Sequence, residues 1–173
     1  MKLLLEISDS DIGVGSPERF DKPYRLRKAS RAIIFNDKNE IAIQFASKYN
    51  YHKLPGGGLD KGENTPEALR REIKEEVGCE IEIGDEIGII IEYRNQLDLL
   101  QVSYCYLAKL VGEVGKPAWE EGEIEEGFES VWMLPDEAIR LLESESPNEY
   151  KNQFIVKRDL EFLREAKRML QNK

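Results

Sequence analysis

Residues 55–79 read Pro-Gly-Gly-Gly-Leu-Asp-Lys-Gly-Glu-Asn-Thr-Pro-Glu-Ala-Leu-Arg-Arg-Glu-Ile-Lys-Glu-Glu-Val-Gly-Cys, a glycine-rich loop that runs directly into a segment carrying clustered glutamates. Thr65 suits an N-cap, Pro66 the first helical position, Glu67 the positive helix start and Gly78 a left-handed C-terminal cap. The spacing therefore predicts a helix from about Pro66 to Val77. At about 100° per residue, Pro66, Leu69, Ile73 and Val77 share an apolar stripe that can pack on a sheet. Glu72, Glu75 and Glu76 gather on the adjoining face, where like charges one turn apart cost about 0.2–0.5 kcal/mol per pair. Arg71 reaches Glu75 at i+4, but one guanidinium does not neutralise three acids. A hard divalent cation, which takes oxygen ligands, would do so. A solvated surface helix is the plain alternative for the helix alone. The loop shifts the balance, because Gly56, Gly57, Gly58 and Gly62 permit close backbone approaches that suit phosphate oxygens at a helix start.

Around this segment the pattern is of mixed strands and helices. Strands are expected at Arg31–Phe35 and Ile41–Phe45, joined through a turn at Asn36–Asn39, and at Tyr49–Leu54 leading into the loop. Further strands are expected at Glu80–Ile83, Ile87–Arg94, Leu99–Leu110 and Phe128–Leu134, with Val102, Tyr104 and Tyr106 on one face. A short helix follows at Pro135–Leu142, and a longer one at Lys151–Leu170 has an apolar face that includes Ile155, Phe162, Ala166 and Met169. This order points to an α+β fold with a mixed sheet between helices.

The chain of 173 residues, 40% hydrophobic, is long enough for one substantial core. It reads as a single domain over 1–173, with an N-terminal extension at 1–24 and a C-terminal helix at 148–173. Met1–Glu6 is too short an apolar run for a leader or membrane span, and Cys79 and Cys105 form no disulfide framework, so a cytoplasmic protein without membrane association is expected. The net charge of −9 argues against general nucleic-acid binding. Its distribution is uneven: residues 1–53 hold ten Lys and Arg against seven Asp and Glu, and the remainder fifteen against twenty-seven. An acidic half needs metal before it accepts an anionic substrate, and Arg25, Arg27, Lys28 and Arg31 are candidates for phosphate contact, or else a solvated strand edge. Oligomeric state is not legible in the chain.

Gly57, five residues, Glu63, seven residues, Arg71-Glu72, Ile73, Lys74, Glu75-Glu76, Val77 and Gly78 resemble the Nudix box of the MutT-like pyrophosphohydrolases. The one departure is Cys79, where that family usually has an aliphatic residue. The resemblance implies an α/β/α sandwich of the Nudix fold and metal-dependent cleavage of a diphosphate bond, with Mg2+, or alternatively Mn2+, as cofactor. It implies that Glu75 and Glu76 are metal ligands joined by the Gly56 carbonyl. Glu72 would bind metal or orient and deprotonate the attacking water. Gly57, Glu63, Arg71 and Gly78 would be structural, Glu63 and Arg71 as an ion pair closing the loop onto the helix. A further glutamate often comes from a remote loop. Residues 119–127 supply Glu126 as first choice, ahead of Glu125 and Glu123.

Tyr49, Tyr51, Tyr93, Tyr104, Tyr106 and Trp119 are candidates for base stacking, although aromatics at strand spacing are more often core, and His52 reads as a strand residue. No proline occurs between Cys79 and Pro117, unlike the ADP-ribose group; no Ser-Gln-Pro-Trp segment marks the NADH group; Tyr93 is off register for the dinucleoside-polyphosphate group. The expected substrate is a small nucleotide, a (d)NTP or oxidised (d)NTP, giving nucleoside monophosphate and pyrophosphate. The alternatives are a dinucleoside polyphosphate hydrolase and a non-catalytic nucleotide-binding regulator. An isopentenyl diphosphate isomerase is disfavoured, because Cys79 is misplaced for its catalytic cysteine.

Overall fold

Apolar side chains alternate along the central strands, so each strand feeds two cores. Ile33, Ile41, Ile43, Cys105 and Leu107 point to one side of the sheet, whereas Ala32, Ile34, Ala42, Tyr106 and Ala108 point to the other. This division makes three layers. The computed structural model describes residues 1–15 and 23–172. The strands are β1 (Leu3–Ile7), β2 (Arg25–Phe35), β3 (Ile41–Ala46), β4 (Tyr51–Lys53), β5 (Glu80–Arg94), β6 (Leu99–Val111) and β7 (Phe128–Met133). The helices are α1 (Thr65–Glu76), α2 (Glu121–Glu126), α3 (Pro135–Ser144) and α4 (Tyr150–Gln171). Leu69 and Ile73 of α1 and its capping residue Val77 seal the second core, and Ala138, Leu142, Phe154, Phe162 and Ala166 of α3 and α4 seal the first. Among the described residues no helix is long and apolar enough to cross a membrane.

The sheet order is β1-β5-β6-β2-β3-β4, with β7 also paired to β3. β1 lies parallel to β5 and β2 parallel to β6, while the remaining pairs are antiparallel. The expected turn at 36–39 forms, with Asn36 Oδ1 accepting the Lys38 and Glu40 N–H groups at 2.9 and 3.0 Å. It does not make a long hairpin. Only Phe35 and Ile41 pair, because β2 commits its length to β6 and β3 commits its own to β7 and β4.

Several boundaries depart from the sequence expectation. β2 begins at Arg25, six residues earlier than its apolar run suggests, because pairing with β6 carries its arginines into the sheet. The segments expected at Glu80–Ile83 and Ile87–Arg94 are one strand with irregular register between Ile83, Glu86 and Gly88. β4 starts at Tyr51, after Asn50 turns with φ of 50°. Within the proposed extension, Leu3–Ile7 is a sheet strand that a five-residue run did not announce, and residues 16–22 lie outside the described residues.

The cap of α1 is Asn64, one residue before Thr65. Asn64 Oδ1 accepts the Glu67 N–H at 2.9 Å, and Glu67 Oε2 accepts the Asn64 N–H at 3.0 Å, a reciprocal capping box. Thr65 instead bonds the Tyr106 hydroxyl at 2.6 Å. At the other end Gly78 has φ of 74°, and a Cβ there would lie 2.8 Å from the Gly115 carbonyl oxygen. The Arg71 guanidinium locks the loop to the helix: Nε and Nη2 donate to the two Glu63 oxygens at 2.9 Å each, and Nη2 also donates to the Gly58 carbonyl at 3.0 Å. The guanidinium holds the Glu63 carboxyl down at about 2.

Two outcomes follow from these contacts. Gly78→Ala should cost roughly 1–2 kcal/mol in urea unfolding from the left-handed backbone, before any shift of Gly115. Because the folded Glu63 carboxyl titrates below its ordinary value of 4.5, its contribution is fully present above that pH and fades as pH falls toward about 2. The melting-temperature gap between parent and Glu63→Gln should therefore be widest near neutrality and narrow progressively below pH 4.5; a gap independent of pH would remove the ion pair from the account.

Candidate active site

The glycine loop lies against β2 as an irregular extra strand. The Ser30 N–H donates to the Gly57 carbonyl at 2.9 Å, Ala32 N–H to Pro55 at 3.2 Å, and Leu59 N–H to Lys28 at 3.1 Å. Gly56 (φ 120°) has no room for a side chain, since a Cβ would sit 2.2 Å from the Ser30 carbonyl oxygen. At Gly57 the obstruction is a side chain: a Cβ would lie 2.2 Å from the Glu72 carboxylate. The loop thus brings backbone directly against the glutamate face of α1.

Glu76 is 1% exposed, and its carboxylate is bonded to Lys53 Nζ at 2.8 Å and to the Gly56 N–H. Burial pushes this carboxyl up, but Lys53, Arg31 and the Gly56 N–H outweigh it and hold it below the ordinary range. Its main-chain carbonyl accepts from Gln44, Ser130 and the Trp119 ring N–H at 3.3, 3.1 and 2.9 Å, which fixes the helix end to β3, β7 and the incoming chain. Glu72 titrates upward, first from burial and then from repulsion by Glu76. Arg71 Nη1 bridges Glu72 at 2.9 Å and Glu75 at 3.1 Å.

The expected acidic loop contains a short helix, α2, ended by Gly127 in the left-handed conformation (φ 65°). It places Glu120, Glu123 and Glu126 on the wall of the cavity that Glu72, Glu75 and Glu76 also line, while Glu125 is exposed and outside it. Burial followed by repulsion from Glu76 raises the Glu123 carboxyl to about 7. Glu126 lines the same wall and acts electrostatically on Tyr51 and Lys151. The cavity holds about 470 Å³.

The opposite wall is cationic. On β2, alternation turns Arg25, Arg27 and Arg31 into the cavity, while Lys28 stays exposed outside it. Arg94, Lys151 and Arg158 complete this side. Arg27 Nη1 donates to Gln101 at 2.7 Å, Gln101 Nε2 to Glu92 at 2.7 Å, and Arg94 Nη2 to Glu92 at 2.9 Å. Arg158 Nε donates to Asp159 at 2.7 Å, and Asp159 accepts the Leu54 N–H at 2.9 Å, tying α4 to the base of the loop.

Sequence reading missed Lys53, Arg94, Lys151 and Arg158. A signal for Arg158 was available: with Asp159 it occupies the helical stripe of Ile155, Phe162 and Ala166, where a charge must be buried. Of the six aromatics nominated for stacking, Tyr51 lines the cavity, with its ring 1% exposed. Trp119 instead anchors Glu76, and His52 belongs to β4, stacked on Phe45 at 4.6 Å with Nδ1 against Glu145.

Among the described residues no three His, Cys, Asp or Glu converge tightly enough to enclose an ion; Lys53 and Arg71 now engage the box carboxylates. The donor set nonetheless suits a hard cation. It is all oxygen, and Glu72 and Glu123, both pushed up first by burial and then by repulsion from Glu76, crowd one cavity with Glu75 and Glu76.

The NUDIX domain pattern matches residues 25–153, which spans β2 through the start of α4. The RNA pyrophosphohydrolase of Nitratiruptor sp. is 31% identical over 144 residues, covering 80% of this chain and 82% of that protein. That of Campylobacter jejuni is 36% identical over 94 residues, 53% of this chain and 54% of that protein, so there the match spans about half the relative's length. In fold, the chain is similar to the crystal structure of the MutT protein from Methanosarcina mazei, with a TM-score of 0.57, 20% identity, and coverage of 86% of this chain and 99% of that one. The box, the layered mixed sheet and these likenesses agree, and the chain belongs to the NUDIX domain family.

Proposed function

We propose that this protein is a cytoplasmic, metal-dependent pyrophosphohydrolase that cuts a diphosphate bond in a nucleoside diphosphate derivative. The observation that carries this reading is the convergence of the α1 and α2 glutamates on one cavity, facing a glycine loop whose Gly56 has no room for a side chain. Glu75, Glu76 and the Gly56 carbonyl would hold Mg2+, or alternatively Mn2+, with Glu72 and an α2 carboxylate as further donors. Bound there, the ion would neutralise phosphate charge and act as a Lewis acid.

The chain's own groups divide the remaining work. Glu72, half-buried and raised in proton affinity, is suited to accept the proton of an attacking water, and Arg71 fixes its orientation at 2.9 Å. Glu123 and Glu126 are the α2 carboxylates available to join it, Glu123 being the one whose carboxyl is raised by burial and then by Glu76. Gly57, Glu63, Arg71 and Gly78 are structural in this reading, since they close the loop and end the helix.

For substrate, the first choice is a (d)NTP, including oxidised forms, released as nucleoside monophosphate and pyrophosphate. The names of the Campylobacter jejuni and Nitratiruptor sp. relatives favour a second choice, the 5′-triphosphate end of RNA. A dinucleoside polyphosphate is less well supported, because Tyr93 does not line the cavity. Retention of Glu72, Glu75 and Glu76 favours catalysis over a purely regulatory binding role.

A panel of ordinary and oxidised dNTPs, 5′-triphosphorylated RNA, dinucleoside polyphosphates, NADH and ADP-sugars, with products identified, tests the reading. Hydrolysis should require Mg2+, and undiminished turnover in excess chelator would sink the metal assignment. Glu75→Gln and Glu76→Gln should each lower kcat/KM by about 100-fold or more. Glu123→Gln should cost more than Glu126→Gln, and the reverse order would exchange their roles.

A further inference from the structure

The cationic wall of the cavity has more charge than the protein itself satisfies. Arg31, Arg94 and Arg158 are 5%, 3% and 0% exposed, yet Arg31 Nε and Nη1, Arg94 Nε and Arg158 Nη1 have no hydrogen-bond partner. Buried charged donors are ordinarily paired, and an unpaired one is costly. The carboxylates available to them are already engaged. Glu92 is taken by Arg94 and Gln101 and stands 3.6 Å from Arg158 Nη1, and Asp159 is taken by Arg158 and Leu54. Arg31 has no ion pair among the described residues. Arg27, at the rim, is drawn down to about 10 by burial and then by Arg31, Arg158 and Arg94, so the group repels itself.

Strand register gives this wall its form. Arg25, Leu99 and Arg94 make one row across β2, β6 and β5; Arg27, Gln101 and Glu92 make the next; Arg31 lies deeper, opposite Cys105. Two strands, β2 and β5, and α4 thus present planar guanidinium forks to one volume, the side-chain type suited to bidentate capture of phosphate. Nothing comparable is offered to a base. The aromatic rings on the lining are Tyr51 and Phe128, 1% and 5% exposed, and Lys53 already covers Phe128 at 4.3 Å from its centroid.

We propose that Arg31, Arg94 and Arg158, with Arg27 at the rim, form an anion subsite for phosphate groups beyond the diphosphate being cut. The substrate class is then a small phosphate-rich molecule, selected by its phosphate count and not by base stacking. This rests on the hydrolase reading for its placement, but the subsite can be tested without turnover.

Titration calorimetry and melting of the full chain with inorganic tripolyphosphate, in EDTA, should show saturable binding and a raised Tm. Arg31→Gln and Arg94→Gln should each weaken binding at least tenfold, and Arg31→Lys and Arg94→Lys, which keep the charge but lose the fork, by a smaller factor. No binding to the parent, or unchanged binding to any of these variants in folded form, overturns the proposal. With Mg2+, the same variants should raise KM for nucleoside triphosphates at least tenfold more than they raise KM for ADP-ribose. An equal loss on both substrates would assign the arginines to the scissile diphosphate and reject a second subsite. For the parent, kcat/KM should vary less than about threefold among ATP, GTP, CTP and UTP; a strong base preference would also count against it. A 5′-triphosphorylated RNA preferred at least tenfold over every free nucleotide would overturn the small-molecule assignment. Binding of tripolyphosphate without turnover of any substrate would reject the hydrolase reading while the anion subsite stood.

Discussion

The buried carboxylate of Glu76 is the constraint on which the site depends. Its side chain accepts from Lys53 of β4 and from the glycine loop, and its carbonyl accepts from side chains of β3, β7 and the segment leading to α2. One residue at the end of a helix therefore holds five parts of the chain in register. A charge removed from water at this depth is tolerated only with such complete pairing, and breaking one partner of a buried pair costs far more than an exposed pair contributes. The exposed pairs, such as Lys74 with Glu80, add little by comparison.

Much of the site was legible because local rules determine it. The helix end at Gly78, the placement of three glutamates on one face and the role of the loop glycines all follow from neighbours in sequence. The capping residue was misplaced by one because Asn64, Thr65 and Pro66 are all good N-terminal residues; the choice fell to the Tyr106 hydroxyl, which engages Thr65. β1 escaped notice because its five residues have no periodic signature apart from their partner β5. The cationic wall was only half visible. Arg25, Arg27 and Arg31 alternate within one strand, but Arg94 and Arg158 join them through pairings and packing that link distant segments.

The cavity is divided by origin as well as by charge. Carboxylates come from α1 and α2, while guanidiniums come from β2, β5 and α4. Between them lies the glycine loop, which contributes backbone to both: Gly57 opposes Glu72, and a Cβ on Gly58 would approach the Arg27 guanidinium at 3.0 Å. A net-negative chain can therefore present a locally positive surface to an anion, because field depends on the nearest charges more than on the total.

The parallel pairing of β2 with β6 carries a consequence for assembly. Arg25 meets Leu99 and Phe35 meets Lys109, so the middle of the sheet joins segments about 74 positions apart and closes late by its large loop entropy. During synthesis the acidic helix emerges before β5 and β6 exist, and Arg158 emerges later still. The glutamates of α1 consequently pass through a period without Arg94, Lys151 and Arg158, in which Lys53 and Arg71 are the encoded cations that pair with them in the fold. Pairing with these two cations would keep the acids of the nascent helix compatible with collapse until the later arginines arrive.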